Sequence, residues 1–219
     1  MRLFSYVLRY DTGSAPNPFR GMCTLAICKP RIRRVAEPGD WVAGVGSVNV
    51  RGRDLSGHLI YAMKVEESIS LADYDRRAEQ EWPHRIPKYH GPDLSERLGD
   101  CIYGFPDGGD VVQREGVHGE ENKARDLSGR NVLISRNFYY FGREAIRIPD
   151  SLQGICPKTQ GHRSTANNPF ANQFEEWITS SEYVVGNVHG WPDQLAGPGC
   201  PTCLLASAES ATDEDIEES

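Results

Sequence analysis

The chain has 219 residues, with 24 Lys and Arg against 31 Asp and Glu, and a formal net charge of −7. A hydrophobic fraction of 38% is enough to fill a core, which excludes wholesale disorder, while 22 Gly and 14 Pro argue for many turns and short elements and against a helical bundle. No apolar run approaches the roughly 18 residues that span a bilayer, and the N-terminal stretch is too short and too interrupted by charge for a signal peptide, so the expectation is a cytoplasmic protein without a membrane partner.

In chain order, residues 2–10 are rich in β-formers and predict a first strand. Residues 11–21 read as a loop in which Pro16 and Pro18 flank Asn17. A short apolar stretch follows, and Pro30 suits the first turn of a short helix, where its missing N–H costs nothing. A turn at Pro38-Gly39-Asp40 leads into an apolar strand from Trp41 to Val45. A polar turn over residues 51–57 leads into an alternating strand in which Leu59, Tyr61, Met63 and Val65 share one parity. These two strands predict an antiparallel pair.

Residues 71–82 predict a helix capped by Ser70 and stopped by Pro83. Residues 83–130 are irregular and polar, and so long a stretch implies a functional loop or an insertion wrapped on the core, with a short strand near 101–105. Residues 132–135 resume as a strand and run into an aromatic end at Phe138–Phe141. In the 168–178 helix, Phe170, Phe174, Trp177 and Ile178 form one face and read as core packing. Residues 183–192 predict a terminal strand or arm. The pentapeptide RDLSG occurs at 53–57 and 125–129, which reads as one turn chemistry used twice. The expected organisation is a single domain over 1–192 with its insertion at 83–130, a Cys-containing extension at 193–206, and a disordered acidic tail at 207–219. That tail carries six acids and no base, so the rest of the chain has a net charge of only −1 and can hold a local basic patch.

Lys29, Arg31, Arg33 and Arg34 place four cations in six positions, a candidate phosphate contact or a solvated turn. Trp41, Tyr61 and Tyr139 on strands are either a stacking surface for a base or simply core. Asn17 and Phe19, in the proline-stiffened loop, would present an amide and a ring at a pocket mouth, or make an ordinary turn. His162, Arg163 and Ser164 share a loop suited to an anion or to acid/base work, with no nearby carboxylate to orient His162. Cys200 and Cys203 form a single CxxC, half of a zinc ribbon or a redox pair, which would need partners such as Cys156, His162 or His189 to complete a structural zinc site. No cofactor is firmly implied. The glycine-rich dinucleotide fingerprint, the P-loop, the zincin helix and the nucleophile elbow are all absent, which disfavours triphosphate hydrolysis and dinucleotide redox chemistry.

Together the segments 14–47, 59–65, 132–142, 161–164 and 174–178 resemble the nucleotide modification associated domain 2 family, bacterial and phage proteins linked to modified nucleobases in DNA. The resemblance covers roughly residues 1–192, with 14–65 its most specific block. Beneath it, the order of a PGD turn, Trp41 and the 59–65 strand is similar to PUA-like domains of the EVE, ASCH and YTH types, whose bent barrels hold a base in an aromatic pocket. Fold likeness alone does not fix function.

The expected fold is therefore α+β: a bent, mostly antiparallel sheet or partial β-barrel with peripheral helices. The leading expectation is recognition of a modified base, nucleotide or nucleic acid in a DNA-modification system. In that reading Trp41, Tyr61 and Tyr139 stack, Phe19 flanks the base, Asn17 and Ser47 bond its edge, and Lys29, Arg31, Arg33, Arg34 and Arg163 contact phosphate. The rival is an enzyme acting on a nucleotide or nucleobase, with His162, Asp40 and His58 as acid/base candidates. A third reading is a structural or partner-binding subunit. A cluster of titratable groups converging on one place would favour the enzyme; rings and amides alone would favour the reader.

Overall fold

A computed structural model describes residues 1–193 apart from 49, 51 and 160. The predicted acidic tail and the Cys200/Cys203 pair lie outside the described residues.

The strands are β1 (Leu3–Leu8), β2 (Cys23–Leu25), β3 (Trp41–Gly46), β4 (His58–Lys64), β5 (Glu67–Ser70), β6 (Tyr103–Gly104), β7 (Val112–Gln113), β8 (Asn131–Ser135), β9 (Phe138–Tyr140), β10 (Ile146–Arg147), β11 (His162–Arg163) and β12 (Asn187–Val188). The α-helices are α1 (Pro30–Val35), α2 (Leu71–Gln80), α3 (Leu94–Arg97), α4 (Glu120–Ser128) and α5 (Ala171–Thr179). Local chemistry explains several boundaries. Pro30 opens α1, where no intrahelical N–H is needed. The Ser70 hydroxyl accepts the Asp73 N–H at 3.0 Å, capping α2.

The main sheet runs β11-β1-β3-β4-β9-β12, with β10 also paired to β4. A smaller sheet, β2-β8-β5, lies over one of its faces. Two consecutive strand pairs, β4 into β5 and β8 into β9, pass from one sheet to the other and bend the whole. The fold is α+β, and the bent sheet stays open instead of closing into a barrel. Most pairings are antiparallel, but β1–β3 and β9–β12 are parallel. The β1–β3 pair had no sequence signature because β2 and α1 intervene as the crossover that parallel strands require.

The strand pleat sorts side chains between two cores. Phe4, Tyr6, Val42, Phe138 and Tyr140 face the small sheet and the crossover. Leu3, Trp41, Ala43 and Tyr139 face α5, whose Phe174 and Ile178 are fully buried there. The predicted common parity of Leu59 with Tyr61, Met63 and Val65 breaks at Leu59. The register steps from Gly44↔Tyr61 to Val45↔Leu59, leaving Ile60 as an extra residue in β4 that turns Leu59 to the α5 side. The second RDLSG copy is the last turn of α4 and not a free turn like the first. The 83–130 segment contains α3, the β6–β7 hairpin and α4, and it packs against the crossover.

Candidate active site at the β1–β3 crossover

Cys28 lies between β2 and α1, and its backbone and that of Lys29 both adopt positive φ, 60° and 36°. Such conformations cost non-glycine residues roughly 1–2 kcal/mol each and persist only where neighbours fix them. Here the fixing contacts are explicit. The Cys28 N–H donates to Asp126 Oδ1 at 2.9 Å, and the Arg33 Nε–H donates to the Cys28 carbonyl at 2.7 Å. Arg33 is fully buried and also donates to the carbonyls of Asn131 (2.8 Å) and Asp126 (2.5 Å).

The partly exposed Cys28 Sγ is 3.3 Å from His118 Nε2. His118 Nδ1 is 2.6 Å from Asp126 Oδ2, which also accepts the Tyr103 hydroxyl at 2.9 Å. A carboxylate accepts only, so Nδ1 carries a proton and Nε2 is directed at the thiol. Burial works against charge on His118, yet the negative charges of Cys28 and Asp126 outweigh it and hold the imidazolium well above the usual histidine range. Burial likewise opposes charge on Asp126, but His118, Arg33 and the backbone N–H of Cys28 keep its carboxyl below the ordinary range. The arrangement is a thiol, a proton carrier and an orienting carboxylate joined in series, the constellation that activates a cysteine nucleophile.

The other described cysteines differ. Burial pushes the Cys23 and Cys101 thiols up, and pushes Cys156, also partly exposed, to about 11. Cys156 meets Gln153 at 3.6 Å.

Beside the relay, three tyrosines project from the central strands. The Tyr6 and Tyr61 hydroxyls are 2.9 Å apart, and Lys29 Nζ lies 5.0 Å from the Tyr6 ring centroid. Tyr61 lies across β3 because residue 44 is glycine: a methyl group there would be 2.5 Å from its ring. The Tyr140 hydroxyl donates to Asp11, which also accepts the Asp193 N–H at 3.2 Å. Burial raises Asp11 to about 6 despite these donors.

The sequence-predicted residues fall elsewhere or serve other ends. Trp41 and Tyr61 lie on opposite faces of the sheet and are both fully buried. Tyr139 stacks on Trp41 at 6.5 Å between centroids, but Phe174 covers that indole edge-on. These rings are core, and no stacking surface is formed from them. Asn17 is consumed internally: its amide donates to the Leu98 carbonyl at 2.8 Å, and its Oδ1 accepts from buried Arg85 at 2.6 Å. Phe19 is buried against Leu98 and Trp191.

Of the basic run, Arg33 is the buried clamp just described and cannot meet phosphate. Lys29 is buried on Tyr6, whereas Arg31 and Arg34 are exposed on α1. Arg163 is half-buried on β11. The three acid/base candidates stand in separate surroundings. Asp40 holds Arg2 at 2.7 Å, His58 bonds the Ser56 carbonyl in a turn, and His162 pairs with Tyr6 along the sheet edge. Ser47 lines an open concavity at the carboxyl ends of β1 and β3.

Sequence reading missed Cys28, His118 and Asp126. Ninety residues separate the thiol from the imidazole, and no local spacing announces them. The one available signal was the length of the 83–130 insertion, which supplies both His118 and Asp126.

The family model for nucleotide modification associated domain 2 matches residues 1–197. The chain belongs to this family. The family's name ties the domain to nucleotide modification. No curated protein and no solved structure matches the chain.

Proposed function

We propose that this nucleotide modification associated domain is a thiol-dependent enzyme that acts on a nucleotide or nucleobase through a covalent intermediate on Cys28. The observation that carries the reading is the serial contact of Cys28 Sγ, His118 and Asp126, at 3.3 and 2.6 Å. Titratable groups converge on one partly exposed thiol, whereas the rings predicted to stack on a base, Trp41, Tyr61 and Tyr139, are sealed in the core. In the resting pair His118 holds the thiol proton, and the thiolate attacks an electrophilic carbon. As the C–S bond forms, the bond to the leaving group breaks, and the imidazolium returns its proton to that group. Water or an acceptor nucleophile then gives its proton to His118 and displaces the thiolate, which restores the resting pair.

Reaction with iodoacetamide at pH 6, followed by peptide mass spectrometry, tests the relay without a known substrate. Cys28 is expected to label at least tenfold faster than Cys156, and His118→Ala is expected to remove that advantage. Equal labelling of the two thiols in the unaltered chain would refute the proposal.

A further inference from the structure

The parallel pairing of β1 and β3 brings both carboxyl ends to one edge of the sheet, the position where open sheets with parallel strands form ligand crevices. A cavity of about 440 Å³ opens there. Its wall carries two cations, Arg9 and Lys158, and three hydroxyls, Ser47, Ser56 and Thr159. None of the ten described residues that line it is acidic, in a chain whose net charge is −7. Asp54, which accepts the Ser56 hydroxyl at 2.6 Å, is not among them. The remaining described wall is Tyr10 with Val7, Gly46, Val48 and Pro157.

Backbone geometry builds this rim. A methyl group at Gly46 would lie 2.5 Å from Leu55, so glycine allows Leu55 to pack directly on the end of β3. The Leu55 N–H then donates to the Ser47 carbonyl at 3.0 Å. Along β1 the pleat sends Tyr6 toward the relay, while Val7, next in sequence, lines the cavity.

We propose that this cavity binds a mononucleotide, with its phosphate between Arg9 and Lys158 and its sugar or base against Tyr10 and the apolar wall. Two cations match a dianionic phosphate monoester, and hydroxyls complete the donor set. The volume lies within the range of small-molecule sites and far exceeds what a lone phosphate fills. The cavity shares no lining residue with the Cys28 relay, and the proposal holds whether or not Cys28 is a nucleophile.

Isothermal titration of the full chain with the four deoxynucleoside 5′-monophosphates, the matching nucleosides and inorganic phosphate tests it. At least one monophosphate is expected to bind, with its nucleoside and inorganic phosphate each at least tenfold weaker. Arg9→Gln and Lys158→Gln are each expected to weaken the nucleotide about tenfold at unchanged thermal stability. Failure of all four monophosphates to bind at millimolar concentration would overturn the assignment. So would a nucleoside or free phosphate that binds as tightly as the nucleotide, or affinity unmoved by both substitutions. Labelling of Cys28 is a separate measurement, so either reading can fail without the other.

Discussion

Arg33→Met removes three donors from a site with no solvent access. The guanidinium holds the carbonyls of Cys28, Asn131 and Asp126 at 2.7, 2.8 and 2.5 Å. Hydrogen bonds from a charged donor contribute about 1.5–3 kcal/mol each. The three share one side chain, so their losses do not add, and breaking a buried charged cluster by removing one member costs about 3–5 kcal/mol. For a urea slope of about 2–3 kcal/mol/M, the midpoint falls by about 1–2.5 M. Arg33→Lys keeps the charge and reaches fewer carbonyls, so its loss is expected to be about half as large. A second readout separates stability from placement. In the Lys variant, iodoacetamide labelling of Cys28 at pH 6 slows relative to Cys156, because the carbonyl that fixes the Cys28 backbone has lost its donor. An Arg33→Met chain that melts in urea at the unaltered midpoint would show that the clamp contributes nothing and that the argument from its contacts is mistaken.

Two further predictions concern pH. His118 has a folded-state affinity for its proton above the unfolded value near 6.5, so the stability it contributes is fully present below that pH and lost as pH rises through the folded value. The stability gap between the unaltered chain and His118→Asn, from urea melts, should therefore be larger at pH 5.5 than at pH 9; an identical gap at both would contradict the charge assignment. Asp11 is raised from 3.8 to about 6 by burial, so it too favours folding when protonated and loses that contribution between those values. Relative to Asp11→Asn, the unaltered chain should lose about 3 kcal/mol between pH 3.5 and 7.5, and a flat difference across that window would show that Asp11 is solvated.

The elements legible in the sequence were those with strong periodicity or punctuation. Ser70 and Pro83 bracketed α2, Pro30 opened α1, and the spacing of Phe174 and Ile178 placed α5 against the sheet. The site was not legible, because its parts are joined only by tertiary contact. Arg33 looked like one member of a cationic run, a phosphate contact or a solvated turn, and nothing local shows that α1 turns it inward with Pro30 and Ile32 while leaving Arg31 and Arg34 outside. Trp41 and Tyr61 looked like one aromatic surface because they lie on neighbouring strands. The register Trp41↔Lys64 and Gly44↔Tyr61 places them three positions apart along β3, so they face opposite sides. Asn17 has the composition of a binding amide, but Arg85, distant in sequence, claims its oxygen.

Arg85 and Arg33 show how so dispersed a site is held in register. Arg85 enters the crossover from the insertion side and donates to the carbonyls of Asn17, Phe19 and Met22 and to the Thr24 hydroxyl. Asp100, also buried, accepts that same Thr24 hydroxyl and the Tyr74 hydroxyl. Arg33 reaches the other way, from the crossover to the end of α4 and the start of β8. The two segments thus grip each other with one buried guanidinium apiece, at opposite ends of the insertion. Buried charge is a poor source of net stability, since desolvation offsets most of the attraction. Its advantage is intolerance of alternatives: a slipped insertion would strand both guanidinium groups without acceptors, whereas an apolar contact would slide at little cost. The relay needs that intolerance. The 3.3 Å approach of His118 to Cys28 depends on two loops ninety residues apart, and an ångström of drift would separate thiol from imidazole.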